Sequence, residues 1–170
     1  GFTISYVIHR YSNTGEGFQF WKTPWNADDW RKVQIDAASR TSKAVLKYLS
    51  SIKDDGKAPF LLFAHYQCAH DPYIKRKPWD FGNNKIDLYD SSIAYCDNEL
   101  KPVLQALKKR KDKDNTAIVI FSDHGELFSE HGYYAHGNSL YEPDIRVFLA
   151  AKFPGISPMT VNTPVSLVDL

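Results

Sequence analysis

The stretch TAIVIFSDHGELFSEHGYYAHG, residues 116–137, joins a short apolar run to a loop rich in ionisable side chains. Its first part, AIVIF, has no polar alternation, which is typical of a strand buried on both faces within a parallel sheet. The loop that follows carries Asp123, His124, His131 and His136. Such side chains bind metal ions and transfer protons, so this loop is a candidate reaction centre at the end of a strand.

Two other apolar runs predict further strands of the same sheet. The run PFLLFAHY, residues 59–66, is again continuous, and IRVFLAA, residues 145–151, predicts another buried strand. Apolar residues at helical spacing predict a helix over residues 29–52, with Asp28 or Asp29 as its N-cap.

A second helix is predicted over residues 89–107, where apolar side chains recur every three or four positions. Pro102 must kink this helix or begin a new one, because proline has no amide proton to donate. The predicted order is therefore helix, strand, helix, strand, loop, strand. This order indicates an α/β fold, with a mostly parallel sheet flanked by helices, in one domain over residues 1–170.

Composition argues against several classes of site. The 21 basic and 20 acidic residues nearly cancel, and no basic stripe offers a surface for nucleic acid. No apolar run approaches the roughly twenty residues of a membrane span. The two cysteines, Cys68 and Cys96, show no C-x-x-C spacing, so neither a zinc knuckle nor a disulfide scaffold is predicted.

Histidines follow two of the predicted strands. The run PFLLFAHY contains His65 near its end and leads to His70, and the run AIVIF leads to His124 and His136. Ligands of an open parallel sheet bind beyond the carboxyl ends of its strands, which open at one edge. We therefore expect these four histidines and Asp123 to converge on one site.

Three segments, in order along the chain, resemble the sulfatase branch of the alkaline-phosphatase-like superfamily, which has phosphodiesterase and phosphotransferase relatives. They are HDPY at residues 70–73, YDSSIAYCDNELKPVLQALKK at residues 89–109 and NTAIVIFSDHGELFSEHGYYAHGNSLYEPDIRVFL at residues 115–149. The first is similar to the family's His-x-Pro-Tyr loop, the second to its central helix and the third to its second metal-binding segment. The resemblance covers about residues 36–156, whereas residues 1–30 resemble no part of the family.

The resemblance implies roles for four residues. Asp123 and His124 are implied ligands of one divalent metal ion, which would polarise an ester oxygen of the substrate. A histidine ligand favours Mn²⁺ or Zn²⁺ somewhat over Ca²⁺, which prefers oxygen ligands but stays a candidate. His70 and His136 are implied to contact the substrate, since a histidine can bind an anionic ester oxygen or protonate a departing alkoxide.

The predicted roles of the other polar residues in this segment are less specific. The alternative role of Asp123 is the N-cap of a short helix that begins at Glu126. His131 is expected to be structural, Glu126 and Glu130 are expected to face solvent, and Arg146 is expected to open a strand and form a structural salt bridge.

The function implied by the resemblance is metal-dependent hydrolysis of sulfate esters, with an anionic sulfate or phosphate ester as substrate. The family's nucleophile motif, Cys/Ser-x-Pro-x-Arg, does not occur in the 170 residues. We therefore expect a partial catalytic domain whose nucleophile lies upstream, and no activity from these residues alone. The resemblance also implies a secreted, periplasmic, lysosomal or membrane-anchored protein, while its oligomeric state is left open.

Two other functions are compatible with the same residues. One is a phosphodiesterase or a phosphoglycerol- or phosphoethanolamine-type transferase on this fold, which would use threonine or serine as its nucleophile. The other is a binding module that has lost catalysis. The identity of the nucleophile would separate the first from a sulfatase, and metal content with turnover of the full-length protein would reveal the second.

Overall fold

The computed structural model describes residues 16–21, 35–57 and 59–170. The chain divides into two compact units, Gly1–Lys111 and Asp112–Leu170. Two long helices lie in the described part of the first unit, and the second contains short strands, one α-helical turn and three short 3-10 turns. Of the helices in the described residues, none has the length and apolar character needed to cross a bilayer.

Helix α1, Ala37–Ser51, packs against helix α2, Lys85–Lys109, to form the core of the first unit. Its buried side chains recur every three or four residues, as the sequence pattern predicts. They are Ala37, Ala38, Thr41, Ser42, Val45 and Leu49. The helix predicted over residues 29–52 is confirmed from residue 37, while its N-cap candidates Asp28 and Asp29 lie outside the described residues.

Helix α2 begins at a reciprocal cap. The side chain of Asn84 accepts a hydrogen bond from the Asp87 amide, and the Asp87 side chain accepts one from the Asn84 amide. The helix then continues without interruption through Pro102, so the prediction that a new helix might begin there is wrong. Proline removes a single amide donor from the helix, and the turns on either side keep their own hydrogen bonds.

Helix α2 also holds the segments on either side of His70. The hydroxyls of Ser91 and Ser92 are buried and accept hydrogen bonds from the amides of Arg76, at 2.7 Å, and Ile74, at 3.3 Å. On the other side of His70, a disulfide joins Cys68 to Cys96 of α2, with their Cα atoms 6.0 Å apart. The spacing of these cysteines predicted no disulfide scaffold and did not indicate this single pairing, because residues 28 apart in sequence meet only through the fold.

The disulfide should stabilise the first unit against unfolding. Replacing both cysteines by serine should lower the free energy of unfolding by about 3 kcal/mol, because a cross-link over a loop of this length restricts the unfolded chain. Urea unfolding of the full-length protein and the double variant measures the difference. Dithiothreitol should shift the wild-type midpoint and leave the double variant unchanged; an unshifted wild type would contradict the pairing.

The run of residues 59–66 does not form the predicted strand. It contains one isolated β-bridge, at Ala64, and no longer β-pairing of this run is seen among the described residues. Leu61 is 78% exposed, so this run is not covered on both faces. A continuous apolar run becomes a buried strand only where neighbouring strands pair with its amides, and none of the described strands pairs with this run.

The second unit contains the strand that the opening stretch predicts, but its pairing is antiparallel. Strand β1, Ile118–Phe121, pairs with strand β4, Leu149–Lys152, so that Ile118 lies opposite Lys152 and Phe121 opposite Leu149. The parallel pairing expected between neighbouring strands is not observed among the described residues. The intervening chain returns to the end of β1 that it left, so β4 must run the opposite way.

The last predicted strand is shorter than expected. Residues 145–148 lie before β4, and Arg146 is the C-cap of the single-turn helix α3, Glu142–Ile145, so it does not open a strand. The amide of Arg146 donates to the Glu142 carbonyl at 2.8 Å, which closes the helical turn. Pro143 at the start of α3 favours this turn, because its fixed φ suits the first positions of a helix.

Candidate functional site

The candidate site lies in the loop between β1 and β4, residues 122–148, which we call the histidine loop. Its two ends meet at Ser122 and Phe148. The Ser122 amide donates to the Phe148 carbonyl at 3.1 Å, and the Phe148 amide donates to the Ser122 hydroxyl at 2.9 Å. Inside the loop, strands β2, Leu127–Phe128, and β3, Tyr134–Ala135, form a small antiparallel hairpin. The hairpin brings the residues before β2 close to those after β3.

Asp123 and His124 lie directly after β1, at the start of the histidine loop. The His124 Nδ1 atom lies 2.7 Å from the Gly125 carbonyl oxygen, which can only accept, so Nδ1 carries the proton. Nε2 is then the basic nitrogen, and it lies 3.7 Å from Oδ1 of Asp123. The expected alternative, in which Asp123 caps a helix from Glu126, is wrong, because strand β2 follows instead.

These two side chains suit a divalent metal ion. A carboxylate oxygen and a basic imidazole nitrogen are donors that Mn²⁺ and Zn²⁺ accept, and two donors 3.7 Å apart can both contact one ion. No group of three or more histidine, cysteine, aspartate or glutamate side chains in the described residues could hold a metal ion. A metal site that included Asp123 and His124 would therefore need further donors.

His136 reaches His124 from the far side of the hairpin. The two imidazole rings stack with their centroids 3.9 Å apart and their planes inclined by 26°. Nδ1 of His136 lies 3.1 Å from Oε1 of Glu126, whose carboxylate accepts a hydrogen bond from Nδ1–H and leaves Nε2 available for proton exchange. The side chain of Glu126 is 5% exposed, so the expectation that it faces solvent is wrong. Only the hairpin, which sets residues 126 and 136 side by side, reveals this contact.

A cavity of about 300 Å³ opens between these side chains. That volume is at the lower end of the range for small-molecule sites, and it suits a compact anionic ester group. The residues that line it include both predicted metal ligands, one of the two predicted substrate histidines and four residues that the sequence did not single out. They are Asp123, His124, His136, Gly137, Ser139, Asp144 and Ile145.

Asp144 is the buried charged residue of this site that sequence reasoning missed. It lies on α3, is 3% exposed and accepts hydrogen bonds from the histidine loop. The bond from the Gly137 amide is the main cause that lowers the pKa of its carboxyl group, and bonds from Ser139 act in the same direction against burial. No local pattern marks it, because an aspartate after Pro143 is ordinary in an exposed helical turn.

His70, the other predicted substrate histidine, lies in the first unit. Its Nδ1 atom is 2.7 Å from the Asp71 carbonyl oxygen, so that this ring too is bonded to the neighbouring backbone. The segment around it is held to α2 by the disulfide of Cys68 and by the buried serines. The convergence of His65 and His70 with the histidines of the second unit stays a prediction.

His131 and Glu130 occupy the outer turn of the hairpin. The His131 ring stacks on Tyr141 with centroids 3.9 Å apart, and its backbone adopts a positive φ of 56°. The residue is exposed and does not line the cavity, which agrees with the structural role expected for it. Glu130 is exposed as predicted, and its carboxylate accepts a hydrogen bond from the Phe128 amide at 2.6 Å.

The chain is similar to known proteins over nearly its whole length. The sulfatase family model matches residues 6–170, so the match includes most of the N-terminal stretch for which no resemblance was expected. No solved structure matches the chain significantly.

Three relatives show the kinds of protein to which the chain is similar. The chain is 25% identical to a choline-sulfatase of Rhizobium meliloti over 69% of its own length and 31% of that protein. It is 31% identical to an uncharacterized sulfatase, YidJ, of Escherichia coli, over 95% of its own length and 34% of that protein. It is 30% identical to the phosphoethanolamine transferase EptA of Escherichia coli over 54% of its own length and 19% of that protein. The chain thus spans between 19% and 34% of these relatives.

Proposed function

Because this chain belongs to the sulfatase family, we propose that it is part of a metal-dependent hydrolase of sulfate esters. In this proposal Asp123 and His124 bind one divalent metal ion, and His70 and His136 contact the sulfate ester. Further metal ligands and the nucleophile come from residues outside these 170. The relatives whose names state a substrate, such as the choline-sulfatase, support a sulfate ester as the substrate class.

One observation carries the proposal. A pair of donors, Oδ1 of Asp123 and Nε2 of His124, lies 3.7 Å apart beside a histidine whose ring is stacked 3.9 Å from that of His124. In this proposal the metal ligand pair and the proton-transfer group border one cavity of about 300 Å³. Hydrolysis of an anionic ester needs such a juxtaposition, because negative charge develops on the ester oxygens while the leaving oxygen needs a proton.

Each side chain has a separate task in this reaction. When bound, the metal ion supplies positive charge that polarises an ester oxygen. His136 acts as an acid when its ring is doubly protonated: Nδ1–H stays bonded to Glu126, which keeps the ring oriented. The proton on Nε2 then passes to the leaving alkoxide as the nucleophile bonds to sulfur and the bond from sulfur to the leaving oxygen breaks. His70 is proposed to contact an oxygen of the ester that stays on sulfur.

A transferase of phosphoethanolamine type is the second candidate. The similarity to EptA over 108 residues supports it, because that relative has the same family segment with a different reaction. The metal ligands and histidines would serve phosphoryl transfer equally well, since both reactions displace an oxygen from a tetrahedral anionic centre.

Activity of the full-length protein on two esters decides between these functions. With Mn²⁺ present, we expect kcat/KM for 4-nitrophenyl sulfate to exceed that for bis(4-nitrophenyl) phosphate by about tenfold or more. The reverse ratio would favour a phosphodiesterase or transferase. Bound metal without turnover of either ester would favour a non-catalytic relative.

Family membership also bears on the fold. It implies an α/β architecture of alkaline-phosphatase type, to which the observed helices and short strands contribute. We propose that the 170 residues are part of one catalytic domain whose sheet is mostly parallel. The described strands pair only in antiparallel fashion, so this sheet would form with residues outside them.

A further inference from the structure

The buried carboxylate of Asp144 touches the chain beside His136 at three points. Its Oδ1 atom accepts a hydrogen bond from the Gly137 amide at 3.0 Å. Its Oδ2 atom accepts bonds from the amide and the hydroxyl of Ser139, each at 2.9 Å. Bonds to an ionised carboxylate are stronger than those between neutral groups, so the turn that follows His136 is held firmly.

The backbone of Asp144 holds the other half of the site. Its carbonyl oxygen accepts a hydrogen bond from the Gly125 amide at 2.8 Å, directly after His124. The backbones lie so close here that a Cβ atom on Gly125 would come within 2.1 Å of the Pro143 carbonyl oxygen. Glycine is therefore needed at position 125 for the chain to reach α3.

One residue thus fixes the chain immediately after both histidines. We propose that Asp144 is a positioning residue that fixes the placement of the His136 ring against the His124 ring. That placement would set the distance between the proton intended for the leaving group and the metal ion. This inference rests on the proposed function, because it takes the two histidines as the groups whose placement matters.

The hydrogen bonds also argue against a role for Asp144 as a metal ligand. Although the residue lines the cavity, both carboxylate oxygens already accept hydrogen bonds from the histidine loop. Coordination of a metal ion would compete with these bonds. The geometry therefore favours an action of Asp144 through His136.

A double-mutant cycle in the full-length protein tests this action. Asp144→Asn keeps the size of the side chain but removes its charge and part of its accepting capacity, and we expect kcat for an alkyl sulfate to fall about tenfold or more. In an His136→Ala background, the same substitution should cost less than about twofold, because the group it positions is gone. An equal loss of kcat in both backgrounds would overturn the proposal.

A second measurement does not depend on activity. In the wild type, the stacked rings should give a nuclear Overhauser effect between imidazole protons of His124 and His136, and this signal should vanish in Asp144→Asn. Its retention in the variant would also overturn the proposal. If the full-length protein hydrolyses no sulfate ester, the proposed function fails, while the ring signal still decides the role of Asp144.

The exposed Asp114 offers a matched control for the loss of a carboxylate. It lies in the same unit, its side chain is 84% exposed and its partner is the neighbouring Lys113. Asp114→Asn should leave both kcat and the ring signal unchanged, because its contacts do not reach the histidine loop.

Discussion

Replacing Asp123 with alanine should remove the metal ion from the full-length protein and lower kcat/KM by about a thousandfold. A bound divalent ion contributes several kcal/mol of charge stabilisation in the transition state, and about 4 kcal/mol corresponds to a thousandfold change in rate. Loss of one of two adjacent donors leaves His124 as the remaining ligand from this loop. Elemental analysis of purified wild type and variant, with kcat/KM on 4-nitrophenyl sulfate, measures both effects.

The control for this prediction is Asp114→Ala, in the same unit. Asp114 pairs with Lys113 at 2.7 Å and lies away from the histidine loop, so its loss should change neither metal content nor rate. If Asp123→Ala retained as much metal as the wild type, Asp123 would not be a ligand. The metal measured in the wild type would also decide among Mn²⁺, Zn²⁺ and Ca²⁺.

Replacing His136 with alanine should slow esters with poor leaving groups far more than esters with good ones. A positioned acid contributes on the order of a hundredfold when a basic alkoxide departs, whereas a nitrophenolate needs little protonation. We therefore expect about a hundredfold loss of kcat/KM on an alkyl sulfate and a much smaller loss on 4-nitrophenyl sulfate. Rates on a series of leaving groups of rising pKa would show a steeper dependence in the variant.

His131→Ala is the matched control, because it removes the same side chain from the same hairpin without altering the cavity. It should leave the leaving-group dependence unchanged. His70→Ala should reduce both classes of ester similarly, as expected of a contact to an oxygen that stays on sulfur. A uniform loss across all esters in His136→Ala would show that His136 binds or orients the substrate and does not protonate the leaving group.

The sequence by itself was sufficient to predict the family and to nominate a candidate site. The order of HDPY, the central helix and the Asp-His-Gly loop indicated the sulfatase family, which the family match over residues 6–170 confirms. The two long helices followed from apolar spacing, because a helix packed on one side repeats its buried residues every three or four positions. Strand β1 followed from its continuous apolar run, but its partner did not.

Only the tertiary structure decided which side chains meet. It paired β1 with β4 in antiparallel fashion, joined Cys68 to Cys96 and buried Glu126 against His136. Local patterns report which face of an element is buried, because that depends on neighbours within a few residues. A contact between residues ten or more apart depends on where the chain turns back.

Asp144 shows most clearly the difference between what the sequence predicts and what only the fold decides. In the sequence it is one of many aspartates, and in the fold its carboxylate accepts three hydrogen bonds from the turn beside His136. The backbone carbonyl of Asp144 also accepts a hydrogen bond from the Gly125 amide, because α3 returns the chain to the end of β1. The residue types of the candidate site were therefore legible from the sequence, while contacts such as Asp144 with Gly125 and Glu126 with His136 depend on where the chain turns back.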